Sequence, residues 1–516
     1  MTTMAGVISA NRRVLGEPVD PAAPPHPGAL THSVADSHLR ELCVSCHLGL
    51  PKTEWGPITQ ESRGGGCNAC HLVYSDAATE DLRRYLADQK LGSAAAGGTR
   101  PPSTHPSFTP DPTNEHCFGC HSRSSGISLS YAGWNELRGG PPSGHPRRTR
   151  QLDDGRHLEY IGDDLHHARG LDCIDCHTSA EVMGSGARAA RKSEQQQVGC
   201  ADCHARRLAT IDSAVLDPES RRLLALRGWK LGAGERVGAT APGAPLVNVV
   251  VDAQGGGQLR IKHSGPRDER RPLRPPAAAC TSDAGHARLS CASCHSVWAP
   301  RCTSCHTEFD PRDDGFDHVA QQWVSGTWNE TAGPFVAAPP TLAVRTHAGA
   351  DGTPHGVIET AVPGMIMTFD RNRDPGGRPD VLFRRLYGLT FAHTVQRQPR
   401  NCVSCHADPV ALGYGDGTLS FDSASARWRF TAAAPRSPHD GLPADAWIPF
   451  LQTRGGMLST RVDVRPLDIA EQRRVLRVGA CLTCHAGDSP VMQRALRGFD
   501  VILAQRSPRC VQPRWH

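Results

Sequence analysis

Large apolar side chains are scarce in this 516-residue chain: aromatics make up only 5% of it. Methionine is scarcer still, at seven residues. A length of this order ordinarily gives two to four domains, on a prior of roughly 150 residues each. So thin a supply of bulky residues does not pack that many dense cores. No stretch reaches the roughly 18 consecutive apolar residues needed to cross a bilayer, which excludes a membrane-spanning helix. The opening residues, MTTMAGVISANRR, lack the charged and apolar regions of a clear signal peptide. Gly (52) and Pro (41) are abundant, so long helices and broad sheets are not expected.

Such a composition leaves two exits: disorder, or a core that side chains do not supply. Cysteine decides between them. Of 20 Cys, 18 fall in one repeated pattern, Cys-x-x-Cys-His. In chain order these motifs are Cys43/Cys46/His47, Cys67/Cys70/His71, Cys117/Cys120/His121, Cys173/Cys176/His177, Cys200/Cys203/His204, Cys291/Cys294/His295, Cys302/Cys305/His306, Cys402/Cys405/His406 and Cys481/Cys484/His485. We number them one to nine. Their irregular spacing excludes a solenoid with one unit per motif.

In this pattern two thiols add to the vinyl groups of one haem, and the adjacent His lies beneath the iron as its proximal ligand. A single match is only moderately specific, but roughly 0.04 matches are expected by chance at this Cys and His content. Zinc also binds Cys-x-x-Cys pairs, but every pair here carries the trailing His and no His-x3–5-His partner is evident. A thiol–disulfide motif would need a βαβ setting that none of the nine has. Nine covalently attached haem c groups would supply the missing apolar core.

Each iron needs a sixth ligand. Seventeen His lie outside the motifs, whereas the only Met away from the N-terminus are Met183, Met365, Met367, Met457 and Met492. Imidazole on both faces is therefore expected for most haems, with lower potentials than His/Met ligation gives. The distal candidates are His32, His38, His105, His116, His145, His166, His167, His263, His286, His318, His347, His393 and His439. His26, His157, His355 and His516 rank below them. Cys280 and Cys510 stand outside all nine motifs; a mutual disulfide and two separately used thiols are both open.

The motifs divide the chain into an N-terminal extension (1–40), a five-haem region (41–206), a haem-poor β-containing insertion (207–279), a three-haem region (280–410) and a C-terminal region with the ninth haem (411–516). Within the insertion, Leu246–Asp252 and Gln258–His263 flank Gly255–Gly257 and read as a β-hairpin. A second hairpin is expected at Leu419–Phe421 and Trp428–Phe430. Thr79 predicts a helix start, running through Leu82 and Leu86 and stopping near Gly92. Asp468 with Glu471 predicts another, stopping at Gly479. The Pro-rich stretches Pro18–Pro27, Pro101–Pro112 and Pro272–Pro276 read as extended linkers. The expected fold is mostly coil with short α-helices and a few short β-hairpins, organised around a chain of stacked haems.

Formal charge is +5. An oxidised haem adds about +1 at the metal–porphyrin unit and −2 from its propionates, so nine haems bring the total to about −4. That argues against nucleic acid as a partner. Arg147–Arg150 and Arg267–Arg274 read as propionate partners or solvated loops.

The nine motifs resemble the multihaem cytochrome c superfamily from His38 to His485. The close pair CASCHSVWAPRCTSCH (Cys291–His306) looks like the coupled haem pairs common there. HHARGLDCIDCHT (His166–Thr178) is weakly similar to octahaem tetrathionate-reductase-type and outer-surface cytochromes. The resemblance implies electron transfer along bis-His haems between redox proteins or other multihaem cytochromes, in the periplasm or at the outer surface. Two alternatives stay open. One is an oxidoreductase with a single open-coordinate haem acting on a small nitrogen or sulfur compound. The other is a subunit of a self-assembled filament or of an outer-membrane porin conduit. The Cys-x-x-Cys-Lys motif of pentahaem nitrite reductases is absent, and no motif is marked as catalytic. Asp313, Asp314, Asp317 and His318 form a polar cluster that either reading could use. The balance favours an electron carrier over a catalyst.

Overall fold

Strong local signals become the elements they predict. Pro245–Val251 and Gly257–Arg260 pair antiparallel, and Gly417–Asp422 pairs with Arg427–Ala432. In this computed structural model residues 4–515 are described, except 21–24, 91–100, 185, 187–188, 190–191, 264–268, 278–279, 281–283, 349–352, 392, 456–458 and 460. Met457 and His516 therefore lie outside the described residues, as do parts of Pro18–Pro27 and Arg267–Arg274. The chain is mixed helix and sheet, 30% helical and 26% strand, with no closed barrel. That is more regular structure than the mostly coil fold expected from composition.

The larger surprise is a six-stranded sheet between residues 304 and 466. Its path runs Gln322–Ala332, Ser304–Asp317, Pro354–Asp370, Thr341–Ala348 and Val464–Pro466, with Val381–Leu389 added to Pro354–Asp370. All pairings are antiparallel except Ser304–Asp317 with Pro354–Asp370. Sequence alternation hides these strands because prolines interrupt them. Pro311 falls in the register shift between Asp310 and Asp314, and Pro363 in the shift between Val362 and Met365. A bulge is where a strand tolerates a residue that cannot donate to the ladder.

A five-stranded antiparallel sheet occupies Thr210–Pro272. Its central strand is buried on both faces. Leu246 and Val249 pack with Leu171, Leu259 and Ile261, while Val247 joins Leu216, Leu224 and Trp229 beneath the helix Pro218–Arg227. A small sheet of Trp134–Leu137, His157–Tyr160 and Thr149–Gln151 completes the central part. There Arg148 lies over the rings of both Trp134 and Tyr160.

Two helix boundaries differ from expectation. The first helix begins at Asp76, with the Ser75 hydroxyl accepting from Ala78 N–H at 3.2 Å. Thr79 sits inside it and donates to Ser75 O. The helix is described to Lys90, so its end near Gly92 lies outside the described residues. The second starts as expected, with a capping box of Asp468 and Glu471, but continues past Gly479 to Leu482. Gly479 is there for close packing: a Cβ would strike the carbonyl oxygen of His406 and come within 3.1 Å of Trp428.

Apolar packing is divided among separate clusters. The largest gathers Tyr387, Leu412, Tyr414, Trp428, Trp447, Ile448 and Leu476. A compact monomer of this mass exposes about 18,000 Å²; this chain exposes 27168 Å².

Candidate functional site

Eight motifs sit on short helical turns. In motifs two, four, eight and nine the N–H of the His returns to the carbonyl of the first Cys, at 2.9–3.0 Å. The residue before the first Cys often starts the turn. Asp172 completes a capping box, and the Ser290 hydroxyl accepts from Ser293 N–H. A helical turn places residues three apart on one side of the chain, so both thiols face the same space. Motif seven departs from this pattern. Cys302 ends the strand Ala299–Cys302, and Cys305 lies in Ser304–Asp317, so its thiols do not share a helical face.

The motifs meet through their sulfurs. Cys46 and Cys120 are close enough to hydrogen-bond, as are Cys117 and Cys173, and Cys200 and Cys291. In each of these pairs one thiol, Cys46, Cys117 or Cys291, is held below the ordinary thiol value by the bond from its partner. Electrostatic influence also reaches from Cys305 to Cys43, Cys117 to Cys70, Cys203 to Cys176 and Cys405 to Cys294, which places these thiols in the same neighbourhoods. Cys402 Sγ lies 3.9 Å from Gly487 O, just beyond motif nine. The path therefore runs seven, one, three, four, five, six, eight, nine, with motif two beside motif three. Cys43 and Cys176 have accessible surface, yet burial pushes their thiols up to about 12.

Most motif imidazoles are oriented. Nδ1 of His71 bonds Thr109 O at 2.8 Å, that of His204 bonds Arg274 O at 2.9 Å, and that of His177 bonds the Glu181 carboxylate at 2.8 Å. His295 uses Gln396 O and His406 uses Val475 O, each at 2.9 Å. Such acceptors require the proton on Nδ1, which leaves the Nε2 lone pair free for a metal. His306 Nδ1 meets the Thr368 hydroxyl at 2.8 Å.

Three of the nine expected proximal ligands depart from the enclosed setting that the motif implies: His121, His306 and His485 are exposed. His121 is the last residue of the helix Asn114–His121. Beyond it the chain turns through the short helical segment Arg123–Ser125, with Ser124 and Ser125 at positive φ. The thiols of motif three nevertheless reach inward, Cys120 to Cys46 and Cys117 to Cys173. His306 follows the buried Cys305 in a strand, where successive side chains take opposite faces. At motifs three, seven and nine the imidazole therefore sits at the edge of the molecule, not inside it.

Four motif imidazoles face a second imidazole. Ring centroids are 6.3 Å apart for His47 and His26, 6.2 Å for His177 and His393, 6.1 Å for His204 and His166, and 6.0 Å for His406 and His286. Two imidazoles on one metal, with bonds of about 2.0–2.1 Å, place their centroids about 6 Å apart. Burial lowers His393 and His406 to about 4, so both are neutral and able to ligate. His116 lies within electrostatic range of His71; its Nδ1 is held by Thr113 at 3.0 Å, and its Nε2 is buried without a hydrogen bond. Both ring nitrogens of His38 are likewise buried without a hydrogen bond, beside Trp328 and Phe369 and 3.9 Å from Glu330.

Compared with family models, curated proteins and solved structures, the chain matches none. The residues alone must identify the site. Haem c needs paired thiols on one side of a turn, a fixed imidazole with Nε2 free and an opposing ligand, all around an internal hollow. Motifs four, five and eight combine paired thiols, an imidazole held through Nδ1 and a facing imidazole; at motif one Nδ1 of His47 instead accepts from Gly49 N–H at 3.2 Å. Among the described residues no three of His, Cys, Asp and Glu converge on a metal position.

His26, ranked below the other candidates, lies with its ring 6.3 Å from that of His47. Several preferred histidines are not placed opposite a motif imidazole. His32, His105, His263 and His439 are exposed, and His439 stacks on Phe383. His145 and His347 bond Glu159 and Glu359, each at 3.1 Å. His167 packs edge-on to Tyr131, and His318 to Phe316. In the acidic cluster, Asp317 is a structural group that accepts from Arg40 at 2.7 Å and from two backbone N–H groups. Cys280 and Cys510 are both free; Cys280 lies near Cys294 and Cys510 near Cys481, which favours separate use over a mutual disulfide.

Proposed function

We propose that the chain is a multihaem c-type cytochrome that carries electrons between redox partners outside the cytoplasm. The observation that carries this reading is the set of four motif imidazoles, each facing a second imidazole at 6.0–6.3 Å. Haem c, when bound, supplies a one-electron iron couple at each motif. The chain's own residues hold, orient and insulate. The motif cysteines anchor the group through thioethers. Carbonyls of Thr109, Arg274, Gln396 and Val475 fix the imidazole planes and keep Nε2 unprotonated. Burial around His393 and His406 excludes water and keeps those imidazoles neutral. The continuous run of motif contacts supports transfer through the molecule over turnover at a single pocket.

Among the described residues no helix is long and apolar enough to cross a membrane, so membrane association through a helix of this kind is no part of the reading. The test is the intact mass and pyridine haemochromogen content of the protein secreted from a host that matures c-type cytochromes. Nine haems per chain are expected, with oxidised spectra dominated by low-spin iron. Protein carrying no covalent haem would refute the proposal. A large high-spin population that responds to nitrite, hydroxylamine or tetrathionate would replace it with the catalytic reading.

A further inference from the structure

The charge of the chain is concentrated at one end of the motif path. Residues 469–515 hold eight Arg (473, 474, 477, 494, 497, 506, 509 and 514) against three acidic residues (471, 488 and 500), a net of 8 − 3 = +5. The whole chain is also +5, so everything outside this segment sums to zero. Six of the arginines are exposed: Arg474, Arg494, Arg497, Arg506, Arg509 and Arg514. Among the described residues none of these six is ion-paired.

This basic segment surrounds motif nine. Cys481 belongs to the helix Ile469–Leu482, and the helix Pro490–Ala504 begins five residues after His485. Cys484 and His485 are themselves exposed. Motif nine touches the other motifs through motif eight, at Cys402 and Gly487, so it terminates the path. Of the two helices, Pro490–Ala504 buries Met492 and Ala495 and packs on Ala284–His286. Part of its apolar side is thus occupied within the protein, while Val501 stays exposed.

We infer that the arginine surface around motif nine is the docking face for an acidic redox protein, which exchanges one electron with the chain at this end. The inference rests on the electron-transfer reading above. Interfaces of this kind are small and weak, and their rates depend on complementary charge more than on buried area. In the exchange one electron crosses the interface and no atom is transferred; the donor is oxidised and this chain is reduced.

The experiment uses the full haem-loaded chain and a reduced plant-type ferredoxin as the acidic probe, mixed by stopped flow from low to high salt. The expected bimolecular rate falls about tenfold or more as salt screens the attraction. R494E/R497E lowers the low-salt rate about tenfold and flattens its salt dependence. R221E/R222E, exposed on the helix Pro218–Arg227, leaves both unchanged. Haem content measured on each preparation separates the two claims. Absent haem refutes the electron-transfer reading, whereas loaded protein with a salt-independent rate, or with a parental rate in R494E/R497E, refutes the docking face alone. Binding of the parent chain to phosphatidylglycerol vesicles, lost in R494E/R497E, would also overturn it by making the partner a lipid surface.

Discussion

Gly479→Ala puts a methyl group where the helix Ile469–Leu482 rests on the carbonyl oxygen of His406, with Trp428 only 3.1 Å from the same position. Neither neighbour yields easily. The His406 backbone is held by its own bond to Cys402 O at 2.9 Å, and Trp428 is buried, with its Nε1 donating to Leu476 O at 3.1 Å. The helix must retreat, and Val475, one turn earlier, retreats with it. That stretches the 2.9 Å bond from His406 Nδ1 to Val475 O, the contact that fixes the motif-eight imidazole. Overpacking costs about 1–3 kcal/mol and the lost bond about 1 kcal/mol. Better helix propensity returns about 1 kcal/mol. The net expectation is a loss of about 1–3 kcal/mol in denaturant unfolding, together with a change in the spectrum of one haem. The competing role for Gly479, a helix stop, predicts neither. A variant as stable as the parent, or about 1 kcal/mol more stable through propensity alone, would refute the packing argument.

His26→Ala should convert one haem from low to high spin, leaving the others unchanged in electron paramagnetic resonance; an unaltered spectrum would remove His26 from motif one. H286A should do the same at motif eight, and the double variant should show both changes additively. Asp440 offers a pH test away from the motifs. Burial alone would raise its pKa, but bonds from Arg385 at 2.7 and 3.0 Å, Leu442 N–H and Arg454 hold it at about 2. Its stabilisation is therefore present above the ordinary carboxylate value of about 4 and is lost as pH falls toward about 2. Asp440→Asn should cost about 2–4 kcal/mol at pH 7, because Arg385 is left buried and unpaired. The penalty should shrink in acid unfolding titrations, and a pH-independent difference would contradict the charge assignment.

What could be read in the sequence was whatever local chemistry decides. The hairpin at Leu246–Asp252 announced itself by β-branched residues before a Gly run, and the helix at Asp468 by a capping box. Turns at the motifs follow from short-range hydrogen bonds, so their thiols were legible residue by residue. Which motif imidazoles are enclosed was not: His121 and His177 carry the same local pattern, and only the path of the chain beyond each leaves one exposed. The six-stranded sheet was hidden too, because Pro311 and Pro363 break the alternation and the bulges that accommodate them form only when strands pair. Gly479 misled for a similar reason: a glycine needed for a neighbour's approach looks the same in sequence as one that ends a helix. Ligand pairing was the least legible. His26, His286 and His393 lie opposite His47, His406 and His177 through tertiary folding; His286 and His393 were candidates, but flanking motifs six and eight does not say which imidazole each faces, and His26 was ranked lower.

The imidazole pairs also set an order of manufacture. His26 and His47 can meet early, since they lie close together in the chain. His177 must wait for His393, and His286 for His406, so the interior of the early region stays incomplete while the later regions are made. Closing loops of that length before their contacts reward them is slow. The five-stranded sheet at Thr210–Pro272, whose strand pairs are local, can form during that interval and hold the two halves in reach of each other. A chain cut after residue 279 would therefore keep most of its motifs but leave His177 without its opposite imidazole.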